Sequence, residues 1–404
     1  MRNVIFVAPF PLETTYRFVR AAANLHGVRL LGIVTGMPTG RNRRAFDDVV
    51  QVQNPMDARA LLMAAQELIR RHGPAHRIIG ILEAIQTQLA QVREALGVPG
   101  TGVKTADLFR NKARMKDALT AAGLPCARHR VVTSDRDAMA FVEEVGLPVV
   151  LKPLAGMGAR ATWRIRRPEQ LRSALEALRV GPSAPVLAEE FLVGREYSFE
   201  TITIDGEVQF TSLSEYRPTP LEVMENPWIQ WVVLHPRDIQ APAYDGIHEL
   251  GRRAVSALGM GTGITHMEWF RRNDGTLAIG EIAARPPGAQ IVPGMNYVHD
   301  ADFYRAWVRA VVDEAFDGPW ERKYAVGVAF VRGTGTGRVL GVTGVPEANA
   351  KVGPLVVESQ LPRPGAPRAS GYEGEGFVIV RHPDTDVVAR ATRDIIQTIR
   401  VHYG

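Results

Sequence analysis

Apolar runs and amphipathic stretches alternate along the first hundred residues. VIFVAP and VRLLGIVTG are short apolar runs of strand type, and TTYRFVRAAANL between them reads as a helix. The helix MDARALLMAAQELIRR, the strand RIIGIL and the helix AIQTQLAQVREAL repeat the alternation. Strands separated by helices predict a parallel, doubly wound sheet, and the turn GVPGTG closes it near residue 100.

The pattern then changes. From 101 to about 185 the chain reads as a smaller α+β lobe: the helix NKARMKDALTAAG, the strand LPVVLKP, the loop AGMGARAT and the helix PEQLRSALEALRV. From 186 to about 315 a second lobe opens on VLAEEFLVGREYSFETITIDGEV and contains two apolar runs, GITHMEWF and IGEIAARPPG, joined by RRNDG. Asn273, Asp274 and Gly275 tolerate positive φ, so these runs predict a hairpin with Glu268 and Glu281 side by side. Residues 322–404 read as a β-rich C-terminal region interrupted by the loop PRPGAPRASGYEGEG, and the chain shows no internal repeat.

Composition narrows the function classes. With 404 residues, 46% of them hydrophobic, the chain is long enough for two or three domains with real cores. Its net charge of +5 is scattered and forms no basic stripe, which argues against a nucleic-acid partner and suits anionic substrates. Cys126 is the sole cysteine, which excludes an intrachain disulfide or a cysteine zinc site. Pro9, Pro11 and Glu13 interrupt the first apolar run too early for a signal sequence, and no stretch has the length of a membrane span. The expectation is a cytoplasmic protein without a membrane partner.

The chemistry is concentrated in a few charged positions. Two facing carboxylates repel unless a cation lies between them. Mg²⁺, with Mn²⁺ as an alternative, accepts one or two carboxylates and completes its shell with water and phosphate. Arg285 follows Glu281 by four residues and offers a fork for carboxylate or phosphate oxygens, or an ion pair to either acid. Lys152 precedes Gly156 and Gly158, which let backbone N–H groups approach phosphate closely. Lys112, Arg114 and Lys116 share the preceding helix, and the local pattern does not choose among them. Glu189 and Glu190 must face opposite ways on a strand, and His266 shares a face with Glu268. A lone histidine in such a strand is more often core than ligand. Trp228 and Trp231 either wall a pocket or fill a lobe contact. No GxxxxGK[ST] motif occurs, and no GxGxxG follows the first strand.

The order Lys112, Lys152 with its glycine loop, EEFL, GREYS, HMEW and GEIAAR resembles the ATP-grasp superfamily. Within it the chain is similar to carboxylate–amine ligases of the L-amino-acid ligase type. The resemblance implies an α/β and α+β architecture: an ATP-grasp fold with an N-terminal doubly wound domain and a C-terminal β-rich region. It implies that Lys112, Lys152, Gly156 and Gly158 hold ATP phosphates and that Glu189 and the Leu192 backbone read the purine. Glu196 would accept from the ribose, Glu268 and Glu281 would hold Mg²⁺, and Arg285 with His266 would serve catalysis. The implied reaction joins a small-molecule carboxylate, expected to be an amino acid, to an amine through an acyl phosphate, releasing ADP and phosphate. A homodimer is an open expectation. The chain departs from relatives at Ala283, where an asparagine is common, and at Arg160 in the glycine loop. The competing readings are a bicarbonate-activating enzyme, though no AMKM-type sequence occurs, and a nucleotide-binding scaffold without catalysis.

Overall fold

A computed structural model describes residues 1–156 and 161–404. The N-terminal sheet is parallel throughout, in the order β3-β2-β1-β4, and is built from β1 (Arg2–Val7), β2 (Val28–Val34), β3 (Asp48–Gln51) and β4 (Ala75–Ile79). Successive side chains of β1 enter different cores. Val4 and Phe6 pack with Phe18 and Val19 of helix Glu13–Ala23, while Ile5 and Val7 pack with Leu61 and Leu68 of helix Ala58–His72. A strand covered on both faces must be apolar at every position, which is why VIFV shows no alternation. The short edge strand β3, only partly buried, left no clear apolar signal.

The second sheet is antiparallel, in the order β5-β8-β6-β7, from β5 (His129–Val132), β6 (Val149–Pro153), β7 (Trp163–Ile165) and β8 (Val186–Glu190). The third contains β9 (Gly194–Ile204), β10 (Glu207–Arg217), β11 (Trp231–His235), β12 (Gly263–Arg272), β13 (Leu277–Ala283) and β14 (Ala325–Val331). After β15 (Val339–Thr343), the strands β16 (Val356–Gln360) and β17 (Gly376–His382) extend this sheet, and β18 (Arg400–Tyr403) pairs with β15. The resulting eight-stranded order is β13-β12-β9-β10-β11-β14-β17-β16.

This topology redraws the expected lobes. Residue 185 falls just before β8, whose apolar VLA segment pairs with both β5 and β6 and so completes the smaller sheet. Helix Lys112–Ala121 packs Met115 and Leu119 beside Trp269 and Ile279, against the large sheet. The C-terminal strands β14, β16 and β17 continue the sheet that carries the acidic hairpin. Trp231 is core: it stacks on Phe330 with ring centroids 5.1 Å apart and donates Nε1–H to Pro218 O at 2.9 Å. Trp228 is 68% exposed, so neither tryptophan walls the pocket. Among the described residues, no helix is long and apolar enough to cross a membrane.

Candidate active site

The acidic hairpin positions the first pair of groups. β12 and β13 are antiparallel, with Glu268 directly opposite Glu281. Asp274 closes the turn by accepting from Thr276 N–H at 2.9 Å and from its hydroxyl at 2.7 Å, and Gly275 takes φ +84. The register then shifts: Trp269 pairs with Ile279, leaving Gly280 as an unpaired bulge next to the acids. A Cβ at Gly280 would lie 3.2 Å from Glu268 O and 3.1 Å from the Phe270 ring. The bulge is useful because the Gly280 carbonyl accepts from Lys116 Nζ at 2.8 Å.

Lysines from two other elements meet this hairpin. Asn111 caps helix Lys112–Ala121 by accepting from Ala113 and Arg114 N–H, so Lys112 sits in its first turn. Lys112 Nζ donates to Glu281 Oε1 at 2.8 Å and to Gly156 O at 3.1 Å. Lys152, at the end of β6, lies 2.9 Å from Glu189 Oε2 and 4.0 Å from Glu281 Oε2. Lys116 approaches Glu189 Oε1 at 3.4 Å. The neighbour of Glu189 on β8, Glu190, pairs with Arg128 at 2.8 Å and Arg272 at 2.9 Å and also lines the cavity described below. The Glu189 carboxylate, expected at the purine amino group, lies between Lys116 and Lys152. Its placement follows from the pleat, which directs it towards the lysine side of β8.

Burial and neighbours set the charge states. Burial works against ionisation of Glu281, yet Lys112 and Lys152 outweigh it and hold the carboxyl at about 2. Glu268 is pushed up by burial and then by the charge on Glu281. Glu196 is pushed well up by burial and by Glu268. It makes no ion pair with Arg195 among the described contacts. Lys152, in spite of burial, is raised by Glu189 and Glu281.

His266 donates or accepts through Nδ1 at 2.9 Å from Glu200 Oε1, while its Nε2 lies 3.9 Å from Glu268 and 3.5 Å from the Tyr216 hydroxyl. Arg285 pairs with neither hairpin acid. Its Nε and Nη2 donate to Glu83 Oε2 at 3.1 and 3.0 Å, and Glu83 also accepts from Arg110 at 3.1 Å. Glu83 follows β4, at the carboxyl end of the parallel sheet, where ligand crevices of such sheets open. That position was the only available sequence signal for it, and it was missed.

Lys112, Lys152, Glu189, His266, Glu268, Glu281, Arg285 and Glu83 line one cavity of about 520 Å³. Val150, Phe191, Leu192 and Phe270 form an apolar cleft in its lining, with Glu196 opposite Phe270 and Glu189 opposite Val150. Gly194 makes the turn into β9 feasible: a Cβ there would sit 2.2 Å from Arg271 O. Gly156 lines the cavity, whereas Gly158 and Arg160 lie outside the described residues. No group of three His, Cys, Asp or Glu residues forms a metal cage among the described residues. Glu268 and Glu281 nevertheless fit a hard cation that shares its shell with phosphate, because among the described residues no lysine or arginine ion-pairs with Glu268. Ala283 is buried and supplies no further oxygen ligand from its side chain.

A family model of the ATP-grasp domain matches residues 117–289, and the chain carries that domain and its fold. Over 252 residues the chain is 31% identical to the L-arginine-specific L-amino acid ligase of Bacillus subtilis, covering 61% of this chain and 59% of that protein. It is 28% identical over 238 residues to the alanine–anticapsin ligase of Bacillus subtilis strain 168, covering 53% and 49%. The chain thus matches between about half and three fifths of the length of these curated relatives. The crystal structure of L-amino acid ligase from Bacillus licheniformis is similar with a TM-score of 0.82 at 21% identity, covering 100% of this chain and 99% of that one. N5-carboxyaminoimidazole ribonucleotide synthetase from Thermotoga maritima is similar with a TM-score of 0.74 at 16% identity, over the full length of both. At these identities the two structures speak for the fold alone.

Proposed function

We propose that the chain is an ATP-dependent carboxylate–amine ligase, acting on an amino acid and forming an acyl phosphate with release of ADP and phosphate. The observation that carries this reading is the cluster in which Lys112 and Lys152 flank Glu281, opposite Glu268, inside a cavity that also holds an apolar cleft. The cleft suits a purine, with the Leu192 backbone on its edge and Glu196 accepting from the ribose. Lys112 and Lys152 would neutralise phosphate oxygens in a setting where fixed charges need no reorganisation. Glu268 and Glu281 would hold Mg²⁺, which supplies further charge neutralisation at the phosphates.

A carboxylate is a poor acylating agent because its oxygen leaves badly. Phosphoryl transfer to it converts that oxygen into phosphate, a good leaving group, and an amine can then displace it. Arg285, fixed by Glu83, would face the anionic acyl phosphate without itself moving. The likeness to amino acid ligases supports the class of substrate. The cytoplasm is the proposed location, and small molecules the proposed partners.

Hydroxylamine supplies the test. With ATP, Mg²⁺ and the correct amino acid it should trap the activated acid as a hydroxamate, with ADP as the co-product. Stoichiometric AMP and pyrophosphate would sink the proposal. ADP release that needs bicarbonate and no amino acid would move the chain to a carboxylating class.

A further inference from the structure

The cavity carries a charge that the proposed reaction has not used. Glu373 lies in the segment between β16 and β17, partly buried, and lines the cavity beside the backbone of Ala289. Among the described residues it has no hydrogen bond or ion pair to any lysine, arginine or histidine. The arginines of the same cavity are occupied elsewhere. Arg17 donates to Glu358 at 2.8 Å and to the Tyr304 hydroxyl at 3.1 Å, and Arg285 is bound to Glu83. The contact of Glu373 with Ala289 sets it beside the segment 286–293, whose Pro286, Pro287, Ala289, Ile291 and Val292 line the same cavity.

A carboxylate without a counter-charge in an apolar wall is costly, and the cost is relieved by a cation that brings its own hydrocarbon stem. Burial pushes the Glu373 carboxyl up, and the Ala289 backbone N–H offsets this only in part. The other acids of the cavity are accounted for: Glu83, Glu189 and Glu281 by protein cations, Glu190 by Arg128 and Arg272. Glu196 and Glu268 lie with the purine cleft and the acidic hairpin.

We infer that Glu373 is the subsite for a cationic group of the amino-acid substrate, an ammonium or a guanidinium, and that it selects substrates by that charge. The inference rests on the ligase reading for the identity of the substrate class, though the subsite can be measured without turnover. The cation has two sources: the α-ammonium common to all amino acids, or the end of a basic side chain.

Steady-state kinetics of Glu373→Gln on lysine, arginine, glutamine and alanine separate them. A charge-assisted contact of this kind predicts a KM increase of about tenfold to a hundredfold with kcat little changed. An increase confined to lysine and arginine assigns the side-chain cation, and an increase for all four assigns the α-ammonium. Glu373→Asp should recover part of the loss, which a merely structural role near Ala289 would not produce selectively by substrate charge. Unchanged KM for every substrate would overturn the inference. Calorimetric titration of wild type and Glu373→Gln with L-arginine and with L-alanine, in the presence of ADP and Mg²⁺, keeps the two readings apart. Binding lost in the variant from a protein that makes no hydroxamate would retain the subsite and remove the ligase. Equal binding by both proteins would remove the subsite.

Discussion

Glu189→Gln tests the buried charge network most directly. Glu189 sits between Lys152 at 2.9 Å and Lys116 at 3.4 Å, and both it and Lys116 are almost wholly buried. Removing one partner of a buried pair costs about 3–5 kcal/mol, because a charge is left in a medium that solvates it poorly. Here the lower end applies. Lys116 keeps its bond to Gly280 O at 2.8 Å, and Lys152 keeps Glu281 at 4.0 Å. A loss of about 3 kcal/mol corresponds to a fall of roughly two orders of magnitude in the protection of slowly exchanging amides. The effect should be concentrated in β6 and β8, whose pairing brings Val150 opposite Glu189. Amide hydrogen exchange read by mass spectrometry locates it. ATP affinity should fall as well, because Lys152 would be drawn towards Glu281. A fall in protection below about tenfold, together with selective loss of adenine discrimination, would refute the network and restore Glu189 to the purine.

Two further outcomes follow from the same charges. Glu281→Gln should fold, since Lys112 retains Gly156 O at 3.1 Å, but lose about a hundredfold or more of turnover; a wild-type rate under limiting Mg²⁺ would refute the metal assignment. The second concerns His299, the last residue of helix Ile291–His299, and His235, which packs against Gly294 of that helix. Burial and then Arg322 hold His299 down to about 4, and burial with Arg322 holds His235 well below its usual value. Between pH 4 and about 6.5 the unfolded chain binds the protons that the folded chain refuses. Stability is therefore full above about pH 6.5 and declines on acidification by about 1.4 kcal/mol per pH unit for each histidine. Chemical unfolding at pH 7.5 and 5.5 measures it, and His299→Phe should flatten the slope; a flat wild-type profile would refute the account.

What the sequence disclosed and what it hid divide along physical lines. The hairpin and the pairing of Glu268 with Glu281 were legible because a turn of known chemistry and a side-chain period of two fix register locally. The alternation of the first hundred residues identified the parallel sheet for the same local reason. The Glu83–Arg285 pair was not legible, since 202 residues separate its members and neither lies in a distinctive pattern. The helix pattern did not set Lys116 apart from Lys112 and Arg114, whereas the Gly280 bulge gives its ammonium a carbonyl to reach. The C-terminal strands read as a region of their own, because an apolar strand says that it needs partners without saying which. The tryptophans showed a similar ambiguity. Trp231 and Trp228 lie in the same segment, and only the pairing of β11 with β14 decides that Trp231 is core.

The arrangement of acids gives the site its logic. Cationic side chains meet Glu83, Glu189, Glu190 and Glu281, so each of these carboxylates has its counter-charge within the protein. Among the described residues, Glu196, Glu268 and Glu373 accept no hydrogen bond from a lysine or arginine. A protein rarely leaves carboxylates unpaired at this depth unless something else completes them. Their positions match three different guests: Glu196 by the apolar cleft for a ribose, Glu268 opposite Glu281 for a metal, and Glu373 beside Ala289 for a substrate cation. Each guest is insufficient alone. ATP without a metal would bring its phosphates against Glu268 and Glu281, and a metal without phosphate would hold only two protein carboxylates. The cavity is then expected to bind ATP and Mg²⁺ together and the amino acid more tightly afterwards, because only the filled phosphate end removes the repulsion that a substrate carboxylate would meet. Titrating the amino acid into protein alone, with Mg²⁺ alone, and with Mg²⁺ and ADP decides this order; equal affinity in all three would show that the acids act independently.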